Sequence, residues 1–205
     1  SNGFMIVGGF ILGLDSDTPE VFQNQIDFMN ESGMVLVSIN LLKAPLGTEL
    51  YERIKSENRL ISDLDFDENR SNMTHMMDKD LLDAGYRRVL ENIYSAEGVF
   101  NRAKVYFQSK KPFKVKNGIK QKLTLSVVAM AARVVYLLGI KDENRRYFWK
   151  MLFWLFRNNM FRYADLGVFF IALMYQYKMM WKNFSARTEE NNQFSAKVEQ
   201  TEVTV

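Results

Sequence analysis

Glycines at 8, 9 and 13 punctuate an apolar run that ends in Asp15, Ser16, Asp17 and Thr18, and Asn40 interrupts a second apolar run. These are the residues whose types and spacing could serve chemistry. Glycines inside a strand let a ligand or a neighbouring backbone come close. Carboxylates and hydroxyls just past the C-terminal end of a strand stand where ligands bind in open α/β sheets and in barrels. The glycine spacing fails the GxGxxG pattern, and the glycines sit within the run rather than in a strand-to-helix turn, so a dinucleotide fingerprint is excluded. Close packing and ligand approach both remain open for Gly9 and Gly13. Asp17 and Thr18 suit helix capping, which leaves Asp15 as the better functional candidate. Asn40, near the end of the second run, calls for a hydrogen-bond partner within the protein.

Other chemistry is excluded by residues that are missing. There is no cysteine and one histidine, His75, so thiolate clusters, Cys/His zinc sites, disulfides and Cys- or His-based nucleophilic catalysis lack their parts. Asp63, Asp65 and Asp67 look like the opening of a calcium loop, but Glu68 stands where glycine is required and Thr74 where a bidentate glutamate belongs. Residues 61–77 therefore read as a solvated acidic connector, and His75 as a surface or partly packed side chain. No catalytic residue and no metal ligand is assigned.

The elements that must position these residues follow from the hydrophobic pattern. Residues 4–14 are apolar on both faces, as expected of a strand covered from both sides in a parallel sheet. Asp17 or Thr18 and Pro19 open a helix, Phe22, Ile26 and Met29 recur at helical spacing, and Gly33 stands where the helix stops. A second buried strand spans 34–42, so the whole is a βαβ unit with parallel strands. Two parallel strands leave two open edges, and further strands are expected upstream. A short helix follows from Glu49 to about Ser56, and helices are predicted at about 78–94, 96–109, 123–138, 143–158 and 162–182. Gly139 and Asp142 mark a stop and a start between the third and fourth of these. The Lys-rich stretch 110–118 reads as a loop, and 185–205 as a disordered polar tail.

The net charge of +3 conceals a polarity along the chain. Residues 1–99 carry 8 Lys/Arg against 17 Asp/Glu, whereas 100–182 carry 17 against 3. The basic part also holds 18 of the 28 aromatic residues. A basic half needs an anionic counterpart: the acidic half, a membrane surface or nucleic acid. No nucleic-acid-binding module accompanies the charge, so nucleic acid is not expected as a partner. The longest uncharged run near the end, 166–177, is 12 residues, too short to span a bilayer.

Residues 9–18, Gly-Phe-Ile-Leu-Gly-Leu-Asp-Ser-Asp-Thr, and 41–51, Leu-Leu-Lys-Ala-Pro-Leu-Gly-Thr-Glu-Leu-Tyr, resemble the late strands of a radical SAM (S-adenosylmethionine) barrel. The resemblance is to cobalamin-binding radical SAM proteins, the group that includes hopanoid methylases. Asn72, Tyr86, Ile93-Tyr94, Phe100-Asn101-Arg102 and 146–149 are similar to the helical domain that follows the barrel in that group. The resemblance implies an α/β part followed by an all-α part: C-terminal βα units of a partial barrel in 1–60, the connector 61–77, a helical domain in 78–184 and the tail 185–205. It implies a parent enzyme that uses S-adenosylmethionine, a [4Fe-4S] cluster and cobalamin, with possible radical methyl transfer. It also implies that Gly9, Gly13 and Asp15 lie along SAM and that Asn40 faces the substrate. Without cysteine these residues cannot hold the cluster, so this part alone is expected to be inactive and to bind no cofactor itself.

A reading from a different class makes the basic helical region a docking module for an anionic membrane surface or an acidic protein partner. The partners expected are the N-terminal cobalamin-binding and barrel portions of the same protein, with self-association through open strand edges as a further route. The location expected is cytoplasmic, with peripheral membrane association.

Overall fold

The structure is a computed structural model that describes residues 6–61, 71–109, 129 and 132–158. The acidic residues 63–67, the loop 110–118, most of the helix expected at 123–138, the helix at 162–182 and the tail lie outside the described residues. Strands β1 (Val7–Leu12) and β2 (Leu36–Leu41) pair in parallel, from Val7 opposite Leu36 to Leu12 opposite Leu41. Between them runs α1 (Glu20–Ser32), and after them come α2 (Glu49–Ser56), α3 (Lys79–Tyr94), α4 (Ala96–Ser109), a π-helical segment (Val135–Lys141) and α5 (Arg145–Arg157). The α/β beginning and the mostly helical remainder agree with the pattern read from the sequence.

Helix ends follow local chemistry. Thr48 Oγ1 accepts from the Tyr51 amide at 3.2 Å to cap α2, and Asp78 Oδ1 accepts from the Leu81 amide at 3.0 Å to cap α3. Gly33 ends α1 with a left-handed φ of 68°, and a Cβ there would stand 2.9 Å from the Tyr106 amide of α4. Two expectations are corrected. Asp17 and Thr18 do not cap α1 with their side chains; Pro19 occupies that position, and the Asp17 carboxylate instead accepts from the Gly13 and Leu14 amides. Gly139 does not stop its helix, which runs on to Lys141 as a wider π turn. There the Trp149 indole donates to the Gly139 carbonyl at 2.9 Å, and the Phe148 ring lies 3.0 Å from where a Cβ would be. The break comes at Asp142, whose backbone is extended.

Each strand has one covered face rather than two among the described residues. Leu12, Val37 and Ile39 turn into a core with Phe22, Ile26 and Met29 of α1 and Leu82, Tyr86, Val89, Leu90 and Ile93 of α3. The Tyr86 hydroxyl donates to the Ile39 carbonyl at 3.3 Å, and burial pushes its pKa up to about 12, so it remains a donor at neutral pH. A second cluster joins Val99, Ala103 and Phe107 of α4 to Tyr147, Phe148, Met151 and Leu155 of α5. Arg102, fully buried, donates to the Ile93 carbonyl at 2.7 Å and ties α4 to the end of α3. A third cluster, Ala44, Tyr51, Ile54 and Met73, packs α2 against the loop after β2.

Helices α1 and α3 meet closely at Gly85, where a Cβ would lie 2.2 Å from the Phe22 ring. Gly85→Ala should therefore destabilise the chain by up to about 2 kcal/mol, the overpacking cost of roughly 1–3 kcal/mol less the ~1 kcal/mol gain in helix propensity. Urea denaturation checks this, and Phe22→Leu in the same chain should recover most of the loss.

Candidate functional site

The parallel pairing puts alternate residues on opposite faces of the sheet. One face is the core face; the other carries Val7, Gly9 and Ile11 from β1 and Leu36, Ser38 and Asn40 from β2. Val7 and Ile11 are 69% and 52% exposed, an unusual state for apolar strand residues, and Asn40 is exposed as well. Among the described residues Asn40 is exposed and has no side-chain hydrogen-bond partner, where the apolar run around it suggested an internal one. Gly9 and Asn40, two of the four candidate residues, share this open face, with Asn40 opposite Ile11 in the register. At Gly9 a Cβ would meet Ser38 Oγ at 3.8 Å, an ordinary contact, so packing within the described residues gives no reason for glycine there. Gly8, on the covered face, differs: a Cβ would press on the Phe10 ring at 2.8 Å.

The other two candidates, Gly13 and Asp15, lie in the turn at the C-terminal end of β1. Gly13 has φ 86°, a conformation that favours glycine, and the His75 ring stands 2.7 Å from where its Cβ would be. His75 Nδ1 lies 2.7 Å from the Gly13 carbonyl oxygen. A carbonyl can only accept, so Nδ1 carries the proton. Asp17 Oδ2 accepts from the Gly13 and Leu14 amides at 2.8 and 2.9 Å and closes the turn.

Asp15 is held by two arginines. Arg59 meets it with both terminal nitrogens, Nη2 to Oδ1 at 2.6 Å and Nη1 to Oδ2 at 3.3 Å, and Arg53 Nη2 reaches Oδ2 at 2.9 Å. Arg59 also donates to Glu57 at 2.7 Å and to the Thr74 carbonyl at 2.9 Å. Its side chain is 13% exposed and that of Asp15 27%, so the pair is partly shielded from water. The hydrogen bonds from Arg59, reinforced by the charges of Arg59 and Arg53, hold the Asp15 carboxyl below the usual carboxylate range.

The segment supplying Thr74 and His75 is fixed to the end of β2. Asn72, buried, accepts from the Ala44 amide at 2.9 Å and donates to the Ala44 carbonyl at 2.8 Å, and Ser71 Oγ donates to the Leu42 carbonyl at 2.6 Å. Leu60 and Met73 form an antiparallel bridge beside these bonds. The ends of both strands, the loop after β2 and residues 71–75 thus form one hydrogen-bonded rim at the C-terminal end of the sheet. No group of three or more metal-ligating side chains occurs among the described residues, and no described helix is long and apolar enough to cross a membrane.

Residues 48–190 match the model of a family described as Domain of unknown function (DUF4070), well over half of the chain. The chain belongs to this family. The DUF4070 match begins at Thr48, the cap of α2, so Arg53, Arg59 and His75 lie within it, whereas Gly9, Gly13, Asp15 and Asn40 precede it. The chain is 30% identical over 155 residues to a hopanoid C-2 methylase of Rhodopseudomonas palustris, covering 73% of this chain and 29% of that protein. It is 26% identical over 163 residues to an uncharacterised methyltransferase of Synechocystis, covering 77% of this chain and 30% of that protein. The chain thus spans under a third of the length of these curated relatives. No solved structure matches it. The resemblance to the hopanoid methylase group, drawn from 9–18 and 41–51, is borne out.

Sequence reasoning missed Arg53, Arg59 and the placements of Asn72 and His75. Their partners lie 28 to 62 residues away, beyond the reach of any local pattern. The clamp they form gives a prediction with a defined sign. Because the folded Asp15 pKa is depressed, its contribution to stability is complete above the unfolded pKa of about 3.9 and is lost as pH falls through the lower folded value. Asp15→Asn should cost about 1 kcal/mol at neutral pH, and the gap from the unsubstituted chain should close on acidification below about pH 4, as read by urea denaturation at a series of pH values.

Proposed function

We propose that β1, α1, β2 and α2 are late βα units of a radical SAM barrel, that the helices of the DUF4070 match from α3 onward brace them from outside, and that the full-length protein is a methylase using S-adenosylmethionine. The observation that carries this reading is the open sheet face: exposed Val7 and Ile11 beside Gly9, Ser38 and Asn40, rimmed by loops at the strands' C-terminal ends. Ligands bind at that end of barrel strands. The similarity to one protein named a methylase and one named an uncharacterised methyltransferase supports the reaction class.

Gly9, Gly13 and Asp15 are proposed to lie along SAM and Asn40 near the substrate. The environment of Gly9 fits the approach of a flat ligand, because no neighbour within the described residues needs the space that a side chain would take. Gly13 and Asp15 serve by shape: the His75 and Arg59 contacts hold their turn in one conformation, so they position the mouth rather than offer free groups. The chain has no cysteine, so its residues do not fit an iron–sulfur cluster and no step is assigned to one here. The cluster, cobalamin and reductive SAM cleavage belong, on this reading, to other parts of the full-length protein, and the chain alone does not cleave SAM.

The test is anaerobic reconstitution of the full-length protein with iron and sulfide, followed by assay of 5′-deoxyadenosine release from SAM. Release is expected, with Gly9→Val raising the KM for SAM about 10-fold or more and Asn40→Ala reducing methylated product more than SAM cleavage. No release from the reconstituted full-length protein overturns the enzyme reading. Unchanged kinetics in both variants would remove Gly9 and Asn40 from the site.

A further inference from the structure

Helix α5 buries Tyr147, Phe148, Met151 and Leu155, a complete core-facing stripe at helical spacing. A surface helix needs no second apolar stripe, yet α5 has one. Trp149 and Phe153, four residues apart and thus on one face, are 50% and 66% exposed, and Phe156 continues their line. Arg146 and Lys150 join these three in lining one shallow surface. On the neighbouring π-helical segment Tyr136 and Ile140 are 57% and 58% exposed. Six cations, Arg133, Lys141, Arg145, Arg146, Lys150 and Arg157, accompany this surface among residues 132–158, all exposed, against two acids, Asp142 and Glu143, in the intervening turn.

From this juxtaposition we propose that the α5 stripe with its cationic flanks is a docking surface for an anionic lipid bilayer, with the Trp149 and Phe153 rings entering the headgroup layer. Three observations select this occupant. Large aromatic rings set among Lys and Arg on a helix lying flat are the chemistry of interfacial helices. The Trp149 indole N–H is already bonded to the Gly139 carbonyl, and its ring packs edge-on against Phe148 at 5.1 Å, so the ring is fixed in place with its polar atom satisfied before it leaves water. The excess of positive charge matches a negative surface and not a neutral one. The proposal stands apart from the methylase reading, since it needs neither SAM nor the sheet.

The experiment is co-sedimentation of the full chain with vesicles of phosphatidylcholine alone and of phosphatidylcholine with phosphatidylglycerol, at low and high salt. Binding is expected to the second composition at low salt and to fade at high salt as the charges are screened. Replacing three flanking cations, Arg145→Gln, Lys150→Gln and Arg157→Gln together, should weaken that binding on the order of 100-fold, at about 1 kcal/mol per charge. Phe153→Ser, with unchanged far-ultraviolet circular dichroism, should also weaken it. Equal binding to both compositions at low salt, or binding untouched by the charge variant, overturns the proposal. So does the absence of binding to either: with a concentration-dependent mass that Phe153→Ser abolishes, the stripe joins copies of the chain; with loss of helicity in Phe153→Ser, it belongs to the chain's own core.

Discussion

A pair of parallel strands presents two faces, and α1 with α3 can cover one. That constraint organises the remainder of the molecule. The covered face holds Leu12, Val37 and Ile39 against Phe22, Ile26, Met29 and the inner stripe of α3, and Tyr86 spends its hydroxyl on the β2 backbone there. The uncovered face leaves Val7 and Ile11 exposed beside a glycine with room around it. Burying apolar surface is worth roughly 25 cal/mol per Å², so an element that covered Val7 and Ile11 would stabilise the sheet. On the proposed reading, a barrel interior supplies the counterparts that cover this face.

Besides the packing of α3 and α4 on α1, the family's helical region meets the βαβ unit at the strand ends. Arg53 and Arg59 converge on Asp15, His75 bonds the Gly13 carbonyl, and Asn72 pairs with both backbone groups of Ala44. Each contact joins a residue before Thr48 to one within the DUF4070 match. The rim is accordingly built from charge-assisted and backbone-directed bonds, which fix a turn's shape more sharply than apolar packing does. Displacing α2 or residues 71–75 would change the mouth even though neither contributes to the open face.

Much of the fold was legible locally. The period of Phe22, Ile26 and Met29, the glycine at 33 and the Glu49 start of α2 gave element boundaries that the structure keeps, as did 78–94 and 96–109 to within a residue. What failed depended on distant partners or on competing local bonds. Asp17 has the chemistry of a helix cap, but two turn amides nearer to it take the carboxylate. Gly139 reads as a helix stop, but the Trp149 and Phe148 rings ten and nine residues on need a residue without a side chain inside the helix. Strand residues 7–12 are apolar throughout, which announces burial on both faces without saying which elements bury them. Of the site, Gly9 and Asn40 could be picked out as odd residues in apolar runs; the clamp on Asp15 could not, because opposite charges 38 and 44 residues apart carry no sequence signature.

The measurement that bears most directly on this account is hydrogen–deuterium exchange of the full-length protein, read peptide by peptide with and without SAM. A barrel lumen on the open face predicts that SAM slows exchange in 7–17 and 36–44 while leaving the α4 and α5 helices unchanged. Slowing confined to the helices, or none in either strand segment while SAM is demonstrably bound elsewhere, would contradict it.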